Sequence, residues 1–202
     1  MFAQNQTPEN EDFVLLGLGM RKLDFLDSIE FSRLRNSSSN QTFHPVSTEA
    51  KNKMLQVARH YFDSLLTTYP NSQLAQMALN YKGNIEVRLG RIPDAKATFR
   101  QMSQKCQSRS DEERSRSSCI NKALCKLAEI SILEKDYAKA LQLLDSMEIY
   151  PRVYMCSYDI KEDEIRIQRL YGQCYVGVGK LKKGLDILIP QILDNSRGSD
   201  ST

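Results

Sequence analysis

Apolar residues return every three or four positions along most of this chain, the spacing of helices that bury one face. Phe13, Leu16, Met20, Leu23 and Leu26 form the first stripe and predict a helix from Glu11 to about Arg35. Gly17 and Gly19 interrupt it, at about 1 kcal/mol each relative to alanine. The linker NSSSNQTFHPVS, Asn36 to Ser47, separates it from a second stripe of Met54, Val57, Ala58, Tyr61, Phe62, Leu65 and Leu66. That helix is expected to start at a Ser47 or Thr48 cap and to run to about Thr68. Asn71 to Arg88 contains no proline and is long enough for a third helix. A break falls at Gly90-Arg91-Ile92-Pro93, and a fourth helix continues to near Lys105 with Pro93 in its first turn, where a missing N–H costs nothing.

Beyond it, QSRSDEERSRSS (Gln107 to Ser118) mixes both charge signs with serine and reads as a solvated turn with an exposed helical start. Cys119 to about Leu133 and Tyr137 to about Ile149 form another helix pair. The connection Pro151 to Asp159 holds Tyr154, Met155 and Tyr158 and is apolar enough to pack back or to meet a partner. Ile160 to about Val178 and Leu181 to about Leu193 form the last pair, with Pro190 expected to kink or end its second helix. The expected division is a loose terminus over 1–10, an N-terminal helix and linker over 11–46, a helical array over 47–195 and a tail over 196–202.

The pairs share one internal pattern. In NYKGNIEVRLGRIPDAKATFRQM (Asn80 to Met102), Gly83, Gly90, Ala95 and Phe99 are spaced as in a tetratricopeptide repeat, which this stretch resembles. Leu79 and Glu86 depart from that family's preferred Trp and Tyr. Later copies place Ala128, Ala140, Leu144 and Pro151, then Gly172, Tyr175, Gly179, Gly184 and Leu188. Upstream, Ala58, Phe62 and Pro70 keep the spacing, and YPNS (Tyr69 to Ser72) looks like a repeat ending. Aligned on Ala58, Ala95, Ala140 and Gly184, the steps are 37, 45 and 44 residues. All exceed the usual ~34. The resemblance covers about residues 48–195. It implies an all-α fold: a right-handed helical solenoid of about three helix pairs, with preceding helices capping the stack.

Composition narrows function by exclusion. A net charge of +3 is too small to indicate nucleic-acid binding, and no Trp is present. Phe13 to Leu18 is far short of the ~20 apolar residues of a membrane span. Cys106, Cys119, Cys125, Cys156 and Cys174 are an odd number without a CxxC, and are expected to be reduced thiols of a cytoplasmic protein. Cys119 and Cys125 are six apart and far from both histidines, a poor spacing for zinc. His44 lies before Pro45 in the linker and His60 at a helix rim. Gly172 to Gly177 imitates the outer spacing of a phosphate loop, but Val178 stands where Lys is required. No enzyme, cofactor or metal is expected. The first six residues carry no basic or apolar region of a signal peptide, although Phe-Ala-Gln resembles the end of a bacterial one. A periplasmic location after trimming is therefore the alternative.

The resemblance implies a protein–protein interaction scaffold or adaptor. Family members hold an extended peptide or a helix on the concave face formed by their first helices. Carried over by alignment, that face would hold Asn80, Tyr81, Asn84 and Arg88, then Lys122, Lys126 and Glu129, then Arg169 and Gln173. Its positive balance suits an acidic protein or peptide. Lys122 and Lys126 match one cation pair of the family's carboxylate-clamp members, while Asn80 lies one place from the expected clamp Asn. The alternatives are an assembly component of the bacterial envelope and an accessory role in an enzyme complex. Self-association is left open.

Overall fold

The computed structural model describes residues 11–36, 47–107, 113–150 and 157–197. Among them the chain forms α1 (Glu11–Asn36), α2 (Thr48–Thr68), α3 (Ala75–Arg88), α4 (Ile92–Gln107), α5 (Glu113–Leu133), α6 (Tyr137–Met147), α7 (Ser157–Gly177) and α8 (Leu181–Arg197). No strand occurs among the described residues, so the fold is all-α. The chain divides into two compact units, Met1–Thr98 and Phe99–Thr202, with the boundary inside α4.

In the first unit α1 packs on α2, and α2 on α3. Leu16, Leu23 and Leu26 of α1 meet Leu55, Ala58, Phe62 and Leu65 of α2 and Ala78 and Ile85 of α3. Ser47 caps α2, its Oγ accepting from Ala50 N–H at 3.1 Å. Two members of the expected stripes are exposed: Phe13 at 62% and Val57 at 38%. A helix has fewer core-facing positions than its apolar residues would fill, and these two fall on its flanks. The two glycines of α1 also differ. A Cβ at Gly19 would stand 2.6 Å from the Phe62 ring, whereas one at Gly17 would meet nothing within 4 Å. Only Gly19 permits a close approach.

Glu86 of α3 is fully buried, although no apolar pattern predicts a carboxylate there. Arg59 Nε of α2 donates to it at 3.1 Å, and Thr98 Oγ1 of α4 at 2.7 Å. Arg59 also lies 3.8 Å from Asp63, which Lys82 meets at 2.7 Å. The buried charge is thus paired and hydrogen-bonded, as burial requires.

In the second unit each of α5 to α8 packs on the next, and α5 also touches α7. Cys125 and Ala128 of α5 meet Ala140, Leu144 and Met147 of α6 and Ile167, Leu170 and Cys174 of α7. Asn121 is buried and donates through Nδ2 to the Met147 and Tyr150 carbonyls, both at 3.0 Å. It thereby ties α5 to the turn that follows α6, where the Met147 carbonyl also accepts from Tyr150 N–H at 3.1 Å. α7 and α8 come close at small residues: a Cβ at Gly184 would lie 2.9 Å from the Gly172 carbonyl, and one at Gly172 2.6 Å from Leu188.

Three expectations are corrected here. Cys106 and Cys119 are joined as a disulfide, Cα–Cα 6.0 Å, because the end of α4 and the start of α5 bring them together across 13 residues. α8 passes through Pro190 without ending there and continues to Arg197, beyond the expected end near Leu193. α7 starts at Ser157, taking in Ser157 to Asp159 of the expected connection. Tyr154 and Met155, like His44, lie outside the described residues.

A charged face on helices 5 and 7

α5 and α7 supply the site. Lys122, Lys126 and Glu129 follow each other at spacings of four and three residues, which places them on one side of α5. Lys126 Nζ meets Glu129 Oε2 at 2.8 Å. From α7, Arg166 donates to Glu129 Oε1 at 3.1 Å and to Asp163 Oδ1 at 2.5 Å, so one guanidinium ties the two helices. Among the described residues, three cations (Lys122, Lys126 and Arg166) and two carboxylates (Glu129 and Asp163) share this patch.

Lys122 is the member of this patch whose charged form is disfavoured. The residue is exposed as a whole, but neighbouring atoms desolvate its ammonium and Lys126 and Arg166 repel it. Both effects lower its pKa, and Asp163 offsets them in part. An anion arriving at Lys122 would relieve the repulsion and accept a charge-assisted hydrogen bond.

Cys125 lies beside this patch with Sγ 3.9 Å from Glu129 Oε1. Burial pushes its thiol up to about 11. A thiol held neutral is a poor nucleophile, and Cys125 packs in the core with Ala140 and Leu144. Cys174, also buried, is likewise raised to about 11 by desolvation.

The sequence-derived site residues divide between the two units. Lys122, Lys126 and Glu129 come together as described. Arg169 is exposed one turn beyond Arg166, and Gln173 lines a small cleft of about 390 Å³ with Ile132 and Tyr137. In the first unit, Tyr81 stacks on Phe62 with ring centroids 5.4 Å apart and serves the core. Arg88 donates to Asp27 of α1 at 2.9 Å, and Asn84 Nδ2 to the Asn80 carbonyl at 2.8 Å. Asn80 Oδ1 is enclosed and has no hydrogen-bond partner among the described residues.

Two members of the charged face were not foreseen. Arg166 and Asp163 could have been paired from their spacing of three, a favourable helical separation. Nothing local could have shown that Arg166 reaches Glu129, 37 residues earlier. No known family model and no curated protein matches the chain.

Proposed function

We propose that the chain is a protein–protein interaction module, a tetratricopeptide-like right-handed solenoid that holds an acidic peptide segment against α5 and α7. The single observation that carries this reading is the grouping of Lys122, Lys126 and Arg166 on α5 and α7, close enough for the last two to disfavour the Lys122 ammonium. The repeat reading draws on the turns that follow α3, α5 and α7. In each, one N–H bonds three residues back and the next bonds five back, as Gly90 to Val87 and Arg91 to Glu86, Lys135 to Ile132 and Asp136 to Ser131, and Gly179 to Val176 and Lys180 to Tyr175. These are Schellman endings, and they recur with the spacing of Ala95, Ala140 and Gly184.

The test is a titration of short acidic peptides with free C-terminal carboxylates against wild type and the Lys122→Ala, Lys126→Ala double variant. Wild type should bind, more tightly at low salt because exposed charges are screened. The double variant should keep its helix content and bind about tenfold more weakly, in line with loss of hydrogen bonds to charged groups. Equal affinities at low ionic strength would reject this face.

A second reading, an assembly component of the bacterial envelope, draws on the Cys106–Cys119 disulfide. Disulfides persist in oxidising compartments and are rare in the cytoplasm. Mass spectrometry of alkylated chain from its native source separates the two readings. A 106–119 bridge in that material supports the second reading, and two alkylated thiols would overturn it.

A further inference from the structure

A second cleft, of about 670 Å³, opens in the unit Phe99–Thr202 among α6, α7 and α8. Asp145 of α6, Tyr171 and Tyr175 of α7, and Lys183, Asp186 and Pro190 of α8 line it. It is separate from the charged face described above. Arg166, Arg169 and Gln173 run along α7 at spacings of three and four, and Gln168, Tyr171 and Tyr175 repeat those spacings two residues later. Two residues turn a helix by about 200°, so the two rows occupy opposite sides of α7.

The cleft has the parts of a cation site. The Tyr171 and Tyr175 rings stack with centroids 6.3 Å apart and planes inclined by 21°. Tyr171 OH donates to Asp145 Oδ1 at 3.2 Å, which fixes both the ring and the carboxylate. One cation is already there: Lys183 Nζ stands 4.0 Å from the Tyr175 centroid and donates to Tyr175 OH at 2.8 Å. An aromatic face attracts a cation through its quadrupole, and carboxylates at the edge strengthen the attraction. Among the described residues the lining carries two carboxylates, Asp145 and Asp186, against one ammonium, Lys183, so it is negative on balance, opposite in sign to the α5–α7 patch.

We propose that this cleft takes the cationic side chain of a partner peptide, lysine or arginine, against the Tyr171–Tyr175 pair with Asp145 and Asp186 beside it. The partner's charge complements the two carboxylates. Lys183 occupies the Tyr175 face in the absence of the partner and is displaced from it on binding. Ile187 and Pro190 offer apolar contact to the methylenes of the arriving side chain.

The probe is acetyl-Gly-Arg-Gly-amide, uncharged at both ends, titrated into the full chain while the tyrosine ring resonances are followed by NMR. The control is acetyl-Gly-Glu-Gly-amide. The arginine peptide should shift the Tyr171 and Tyr175 signals saturably, and the glutamate peptide should leave them unchanged. Tyr171→Phe keeps the ring, and its circular dichroism should match wild type. The Asp145→Asn, Asp186→Asn double variant should weaken binding by roughly tenfold, the order of a partly desolvated charge contact. Lys183→Ala is the decisive variant: removing the internal competitor should tighten arginine binding about threefold or more. A purely structural role for these residues would not produce that gain. No saturable shift in wild type, an equal response to the glutamate peptide, or no tightening in Lys183→Ala overturns the proposal.

Discussion

Gly90 and Lys135 hold the same position in the same helix-ending turn, one glycine and the other not. Both have left-handed backbone, φ 72° and 63°. Each N–H bonds three residues back, to Val87 and Ile132, and the following N–H bonds five back, to Glu86 and Ser131. The left-handed conformation costs roughly 1–2 kcal/mol for a residue with a Cβ. Lys135→Gly should therefore stabilise the protein by about 0.5–1 kcal/mol, after glycine's extra freedom in the unfolded chain is subtracted. Gly90→Ala should destabilise by about 1 kcal/mol or more. Urea denaturation of the two variants checks both signs.

Gly17 and Gly19 offer a paired test within one helix. Glycine inside a helix is worse than alanine by roughly 0.5–1 kcal/mol. With open space around Gly17, Gly17→Ala should stabilise by about that amount. At Gly19 the new methyl would meet the Phe62 ring, which is wholly buried and cannot swing aside freely. Gly19→Ala should destabilise by roughly 1–3 kcal/mol through overpacking. The same sign for both substitutions in denaturant melts would remove the close approach of α1 to Phe62.

The Arg59–Glu86 pair should respond unequally to removal of its neighbours. Arg59→Ala leaves Glu86 buried with, among the described residues, only Thr98 as a side-chain donor. Stranding a buried charge costs about 3–5 kcal/mol. Lys82→Ala removes only the pairing to half-buried Asp63 and should cost about 0–1 kcal/mol. A thermal denaturation series should rank Arg59→Ala well below Lys82→Ala, and equal melting temperatures would refute the buried network.

Cys125 and Cys174 should be silent to alkylation at pH 8 in the folded protein and reactive in urea. Burial raises both thiols from 9.0 to about 11. A raised folded pKa contributes stability that is fully present below pH 9 and is lost as the pH climbs through about 11. The denaturation midpoint should accordingly fall between pH 9 and pH 11, and less steeply in Cys174→Ala than in wild type. Time-resolved iodoacetamide labelling with peptide mapping tests the first statement, and urea melts across that pH range test the second.

Much of the helical framework could be read from residue order alone. Apolar spacing in α1 and α2, the Ser47 cap, and the breaks at Gly90 and Gly179 are local signals, because helix formation, capping and turn geometry involve residues within about four positions. Lys122, Lys126 and Glu129 shared one side of α5 for the same reason. Tertiary structure decided what lies far apart in sequence. It buried Glu86 against Arg59 and Thr98, gave Gly19 and not Gly17 a ring to face, exposed Phe13, joined Cys106 to Cys119, and brought Arg166 to Glu129. It let α8 continue through Pro190. It also assembled the Tyr171, Tyr175 and Lys183 cleft from separate helices. Each of these depends on which faces meet when helices pack, and packing is set by side-chain fit between segments that no spacing within one segment encodes.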